Sequence, residues 1–312
     1  MKRFLLILAL WFSIVVGAMA QTAKQPAGSG TAADPYQIAT LENLCWLMNT
    51  ASSWGQYFKQ TADIDATDTK NWPNKWMPVG LNTTPFSGTY DGQGFIIKNL
   101  RVEKLNPTQL VMGFFGKTLN ATITRVGLYN AYVNESNGVE QDYISLLVAH
   151  SVNSTISSCY AIGSIGWGVN AGGLVAFNEG GIISGCYCMI NNYRIPTDRQ
   201  SYGGLVGKNT GTVTRSFYDS QISIRTDNDG RGIPKTTAEM KTESTFYPAG
   251  WNFTSKWAMA ACPDRSYPYL VSNPQVPAPG LETTINPTTG GTIAANPTSV
   301  FPGSVIIEFT SS

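Results

Sequence analysis

The sequence predicts an all-β fold: a right-handed parallel β-helix, or β-solenoid, with short helical caps, followed by a partial β-rich repeat module. Three observations predict it. A glycine-containing phrase recurs at intervals of about thirty residues, and internal repeats decide architecture before any local reading. Gly, Asn, Ser and Thr are abundant while only 13% of the 312 residues are charged, which favours many short strands joined by turns. Finally, a unit this short cannot bury its own apolar side chains, so it must stack on copies of itself.

The first element is residues 1–20. Lys2 and Arg3 precede an apolar run from Phe4 to Val16, and Ala18-Met19-Ala20 follows. That layout predicts a secretory signal peptide cleaved after Ala20. The run is short for a membrane span, so no membrane insertion is expected after cleavage, and an uncleaved anchor is the alternative. Either reading puts the rest of the chain outside the cytoplasm, secreted or at the cell surface. Residues 21–34 are expected as a linker and 35–271 as the solenoid with its caps. Leu41, Leu44, Trp46, Leu47 and Met48 fall at near-helical spacing after Thr40, which predicts an N-capped amphipathic helix across the first coil.

The repeat comes next. Gly172-Gly173-Leu174-Val175-Ala176 matches Gly203-Gly204-Leu205-Val206-Gly207 at an offset of 203 − 172 = 31. Ser145-Leu146-Leu147-Val148-Ala149 lies 172 − 145 = 27 residues upstream, and Gly116 matches Ala149 at 149 − 116 = 33. Ten residues after Gly116, Ala149, Ala176 and Gly207 come Val126, Cys159, Cys186 and Phe217. Unequal offsets fit a solenoid whose surplus residues loop out at a corner. A row of Leu147, Leu174 and Leu205 is the expected apolar column, and the paired glycines mark tight turns or close coil contacts.

The phrases Gly173-Leu174-Val175-Ala176 and Gly204-Leu205-Val206-Gly207 resemble the GLUG motif of bacterial exported proteins. The resemblance runs from about Gly28 to Val271. It takes in Asp34-Pro35-Tyr36, Phe86-Ser87-Gly88-Thr89-Tyr90-Asp91-Gly92 and Trp251-Asn252-Phe253, and closes at Tyr267-Pro268-Tyr269-Leu270. It implies a β-helix-like fold and a surface or secreted location, with no chemistry attached to the motif. The copy at Ser145 departs by lacking both glycines.

Thr236 to Lys241 predicts a second short helix as the far cap, with Trp251, Phe253 and Trp257 packing nearby. Burial is preferred for these aromatics over a carbohydrate-stacking platform. Pro274, Pro277 and Pro279-Gly280 mark a Pro-rich linker at 272–282. Residues 283–312 resemble the opening strands of repeats on bacterial surface proteins, and are too few to hold a core alone. They are expected as an incomplete module.

Composition narrows function. A formal charge of +1 supplies no field for nucleic acid or an anionic membrane. His150 is the one histidine, so a Ser-His or Cys-His pair has one candidate base, at a position where other copies carry Lys117, Phe177 and Lys208. That pattern suggests a tolerant surface site. Asp63, Asp65 and Asp68 form one carboxylate cluster, with Asp63 and Asp65 pointing outward together if Ile64 points in. Asp227-Asn228-Asp229-Gly230 resembles part of a calcium loop without its distal Glu. Turn formation accounts for both more simply, so no cofactor is expected, and Ca²⁺ is the cation that Asp63, Asp65, Asp227 or Asp229 could hold. Cys45, Cys159, Cys186, Cys188 and Cys262 are odd in number and cannot all pair. Cys159 and Cys186 take matching places in consecutive copies, which allows either a disulfide or a buried thiol ladder.

The expected function is a non-catalytic adhesin-like binding or spacer module, taking a glycan or a host or matrix protein. The alternative is a polysaccharide-cleaving lyase or hydrolase. No catalytic residue is assigned.

Overall fold

The computed structural model describes residues 21–105, 108–134, 143–166, 170–192, 202–259 and 267–271. The segments expected as signal peptide (1–20), Pro-rich linker (272–282) and incomplete module (283–312) lie outside the described residues, as does Cys262.

The chain is a β-solenoid of about four turns with little helix. Sheets of seven, eight, four and four strands form its faces, and every strand pair within them is parallel. The local cause is visible on the seven-stranded sheet. Its strands Thr122–Thr124, Thr155–Ser157, Ile182–Ser184 and Thr212–Thr214 each centre on an inward apolar residue. Ile123, Ile156 and Ile183 are fully buried, while the β-favouring Thr and Ser beside them face outward.

The repeat offsets reappear as strand register. Val148 pairs with Phe115, with Val175 and, one turn further, Val175 pairs with Val206. Leu147 donates its N–H to Leu174 O at 3.2 Å, and Leu174 to Leu205 O at 2.9 Å. All three leucines are fully buried in one cluster, each worth roughly 1.5–3 kcal/mol of burial. One alignment shifts by a residue. Phe217 stands opposite Tyr187, and Ser216 takes the place opposite Cys186, its hydroxyl accepting Cys186 N–H at 3.1 Å and donating to Thr214 O at 2.8 Å. The turn before Thr212 is one residue shorter than its predecessor, because Asn178 pairs with Asn209 whereas Ile182 pairs with Thr212.

The glycine-free copy has a steric explanation. A Cβ on Gly204 would lie 2.1 Å from the Tyr218 ring, and one on Gly173 would lie 2.4 Å from Cys188 Sγ. Leu146 occupies that place in the preceding coil, donating to Gly173 O at 3.2 Å, and it is fully buried. Its coil carries Ala161 in register with Cys188 and Tyr218. Bulk moves from one wall of the column to the other, and the volume stays filled.

The N-terminal cap is the helix Leu41–Asn49. Thr40 Oγ1 accepts from Asn43 N, and Asn43 Oδ1 accepts from Thr40 N, a reciprocal capping box. Leu44, Leu47 and Met48 are buried against the first coil. Lys24 and Ala27, in the segment expected as a linker, are hydrogen-bonded to this helix and to the first strand. Asn43 Nδ2 donates to Lys24 O at 3.0 Å, and Gln37 N donates to Ala27 O at 2.7 Å.

The second helix, Thr237–Met240, is capped by Thr236 with Glu239 completing the box. The segment it opens lies along a flank, whereas an end cap was expected. Met240, Phe246, Trp251, Trp257 and Leu270 cover the outward side chains Tyr160, Tyr187 and Phe217 of three successive coils. Those aromatics point away from the column, so they need a cover of their own.

Candidate binding groove

On the eight-stranded sheet the outward face opens into a groove of about 500 Å³, lined by Thr67, Lys70, Asn99, Arg101, Asn130, Ala131, Tyr132 and Ser164. These residues come from four successive layers. Asp65 pairs with Lys98, Arg101 with Tyr132, and Tyr132 with Ser164. Three interstrand steps give the groove a reach of about 14 Å.

A backbone irregularity makes it. Strand Gly127–Asn134 pairs through Gly127–Tyr129 with Ile96–Lys98 and through Tyr132–Asn134 with Arg101–Glu103. Its register to the next coil slips at this point, where Tyr129 pairs with Ile162 but Ala131 already pairs with Gly163. Asn130 is the extra residue, in the left-handed region at φ 52, below Asn99 at φ 62. Asn tolerates that region better than most side chains. Asn130 Nδ2 donates to Asn99 Oδ1 at 2.8 Å, and Asn99 Nδ2 donates to Asp65 Oδ1 and Thr67 Oγ1 at 3.0 and 2.9 Å. The next coil supplies no residue to continue this ladder, and the face is left recessed.

The charged residues of the lining, Lys70 and Arg101, are both cations. Arg101 lies over the Tyr132 ring at 4.3 Å and bridges to Glu103 at 2.7 Å. Lys75 reaches the same carboxylate at 3.0 Å, so two cations share one anion. Partial burial pushes the Glu103 carboxyl up, but Lys75 and Arg101 outweigh it and hold it below the usual range. Lys70 is exposed and has no ion pair among the described residues. No carboxylate and no histidine lines the groove. The arrangement offers cationic donors, amides, hydroxyls and an aromatic edge, the set that fits a polyhydroxylated ligand.

The residues expected as metal or catalytic candidates are otherwise engaged. Asp63 and Asp65 are both exposed with Ile64 buried between them, as their alternation predicts. Asp63 Oδ1 accepts from Ile96 N at 2.8 Å. Asp65 pairs with Lys98 at 3.5 Å; burial pushes its carboxyl up, but bonds from Thr67 and Asn99 outweigh that and hold it at about 2. Asp227 accepts from Gly204 N at 3.3 Å and faces Arg231 at 3.7 Å. Burial raises its pKa against the pull of that arginine. Asp229 meets Arg231 at 3.5 Å, while Arg231 Nη1 donates to Gly207 O at 2.9 Å. This acidic turn therefore ties an arginine to the last motif copy. No group of three His, Cys, Asp or Glu converges among the described residues.

His150 is more enclosed than a tolerant surface site. Its ring stacks on Phe177 at 5.0 Å and lies 5.2 Å from Tyr143, and Nε2–H donates to Glu179 Oε2 at 2.8 Å. Burial lowers its pKa despite Glu179. Its partner is a carboxylate rather than a nucleophile.

Cys159 and Cys186 do stack on successive coils, Cys159 N donating to Cys186 Sγ at 3.4 Å, but both are free thiols, as are Cys45 and Cys188. The disulfide alternative is not formed in this structure. Each thiol instead donates to a carbonyl two residues back, Ser157 O at 3.3 Å and Ser184 O at 3.4 Å. The groove residues Arg101, Tyr132 and Lys70 were not singled out in the sequence. Their signal is the 31-residue separation of Asn99 from Asn130, which matches the repeat.

No family model matches the chain. It is a distant relative of a protein described as a Gly-rich membrane protein from Evansella cellulosilytica, 33% identical over 114 residues, covering 34% of this chain and 13% of that protein. It is likewise related to halomucin of Haloquadratum walsbyi, 30% identical over 160 residues, covering 49% of this chain and 2% of that protein. The chain thus aligns with a small part of either relative's length. No solved structure matches.

Proposed function

We propose that the chain is an exported, non-catalytic surface module of GLUG type that binds a glycan in the groove beside Asn130. The observation that carries this reading is the groove's composition. Amides, hydroxyls, an aromatic ring and cations converge from four coils, while the carboxylate pair that glycoside hydrolysis uses is missing from the lining. The surface location is supported by the signal-like first twenty residues, the GLUG-like phrases and a relative described as a membrane protein.

The test is a glycan and matrix-protein array probed with the wild-type chain and with Asn130→Gly, which removes the amide while permitting the backbone. Glycan binding that weakens in the variant supports the reading. Binding to a matrix protein alone, or glycan binding indifferent to Asn130, overturns the site. Release of unsaturated products from uronate polysaccharides would overturn the non-catalytic part and restore the lyase alternative.

A further inference from the structure

The groove's charge is uneven in a way that a neutral sugar would not use. Lys70 and Arg101 line it, Lys75 stands behind Arg101 on the same carboxylate, and among the described residues Glu103 is the single carboxylate that pairs with any of the three. Asp65 is committed to Lys98 and to Asn99. Asp68 shares the short 3-10 turn Thr67–Asn71 with Lys70 but is not part of the lining. Arg101 is also oriented. One ring covers its guanidinium face and one carboxylate holds its Nε edge, so Nη1 is left aimed away from both contacts.

From this we infer that the ligand is an anionic glycan, carrying carboxylate or sulfate groups on a hydroxylated chain, with Lys70 and Arg101 as its charge-reading residues. The inference rests on the glycan reading above and narrows it. Rings would lie along the recess, their hydroxyls meeting Asn130 and Ser164. An acidic substituent would sit between Lys70 and Arg101, where its charge completes the deficit left by the shared Glu103. A planar guanidinium fixed by stacking suits a carboxylate or sulfate better than a free lysine does, because less rotamer freedom is lost on binding.

The experiment is calorimetric titration of the full chain with a galacturonate tetramer, a heparin tetrasaccharide and, as the neutral arm, a cellulose tetramer. The two acidic arms separate the carboxylate source from the sulfate source. Either acidic probe should bind at least about tenfold more tightly than the neutral one, and should weaken as salt rises. Lys70→Gln and Arg101→Gln should each cost about tenfold on the acidic probes, the size expected for one charged hydrogen bond, and cost the neutral probe less than that. Lys70 is exposed, so its variant keeps the fold even where Arg101→Gln perturbs it. Equal affinity for neutral and acidic probes, with Asn130→Gly still weakening both, overturns the anionic assignment and leaves the glycan reading standing. Failure of all three probes to bind, or acidic binding untouched by Lys70→Gln, overturns the groove as the site.

Discussion

The outer face of the eight-stranded sheet divides into two halves with opposite fates. Along one half Tyr160, Tyr187 and Phe217 form an aromatic row, and the chain's own Met240, Phe246, Trp251, Trp257 and Leu270 cover it. Along the other half Arg101, Tyr132 and Ser164 form a row in register with one another, and nothing among the described residues covers them. The same strands, Gly127–Asn134 and Tyr160–Ile165, contribute to both. What changes is the chemistry of the outward positions. Three aromatic rings on successive coils recruit a lid because exposing them costs the hydrophobic free energy of each. Polar side chains meet water without that cost and stay available to a ligand.

The largest expected effect breaks the covered half. Trp257 stacks on Trp251 at 4.2 Å and packs near Tyr160 and Tyr187 at 6.2 and 6.0 Å. Trp257→Ala should cost about 3–5 kcal/mol in urea unfolding, the range for truncating a buried large aromatic. Tyr132→Ala in the open half, where the ring is half-buried and outside the core, should cost about 1–2 kcal/mol, clearly less than Trp257→Ala. Comparable losses at the two positions would refute the division.

The next effect tests whether the inner column tolerates the redistribution of bulk that the outer faces do not need. Gly204→Leu drives a side chain into the Tyr218 ring, an overpacking of about 1–3 kcal/mol. Tyr218→Ala opens a cavity there. Together they recreate the Leu146 and Ala161 arrangement of the earlier coil, so the double variant should recover about 1–3 kcal/mol relative to the sum of the singles. A double-mutant cycle by chemical denaturation measures this, and strict additivity would mean that the two positions do not share the space.

How much of this was legible follows the same line. The column was readable because Leu147, Leu174 and Leu205 sit in a repeated phrase, and repetition fixes register even where 27, 31 and 33 residues separate the copies. Both helices were readable from Thr40 and Thr236, since capping is local chemistry. The flank cover was only half readable. Trp251 and Trp257 announced burial, but the slip that places Phe217 opposite Tyr187 hid the aromatic row they cover. The groove was not legible as a site. It depends on Asn130 having no counterpart in the next coil, a mismatch between copies, and a search for similarity passes over what differs. Asp63 and Asp65 drew notice as a cluster, yet a strand placed a main-chain donor on the first and a lysine on the second.

The smallest expected effect sharpens the comparison through two carboxylates shifted in opposite directions. Asp65, at the rim of the open half, is held at about 2 against roughly 3.9 for an unfolded chain. Its contribution is present above about pH 4 and is lost as pH falls toward 2, so Asp65→Asn should flatten the acid limb of stability there. Half its side chain is exposed and screened, and under about 1 kcal/mol is at stake. Asp227 has the opposite sign. Burial disfavours its charged form, so at neutral pH it opposes folding, and stability returns as pH drops through its raised folded pKa. Asp227→Asn should therefore leave the neutral-pH melting temperature equal or higher, while retaining an oxygen that accepts from Gly204 N. A fall in that temperature would mean that the Arg231 contact at 3.7 Å outweighs desolvation. In that case the last motif copy is held by charge, not merely shaped by its turn.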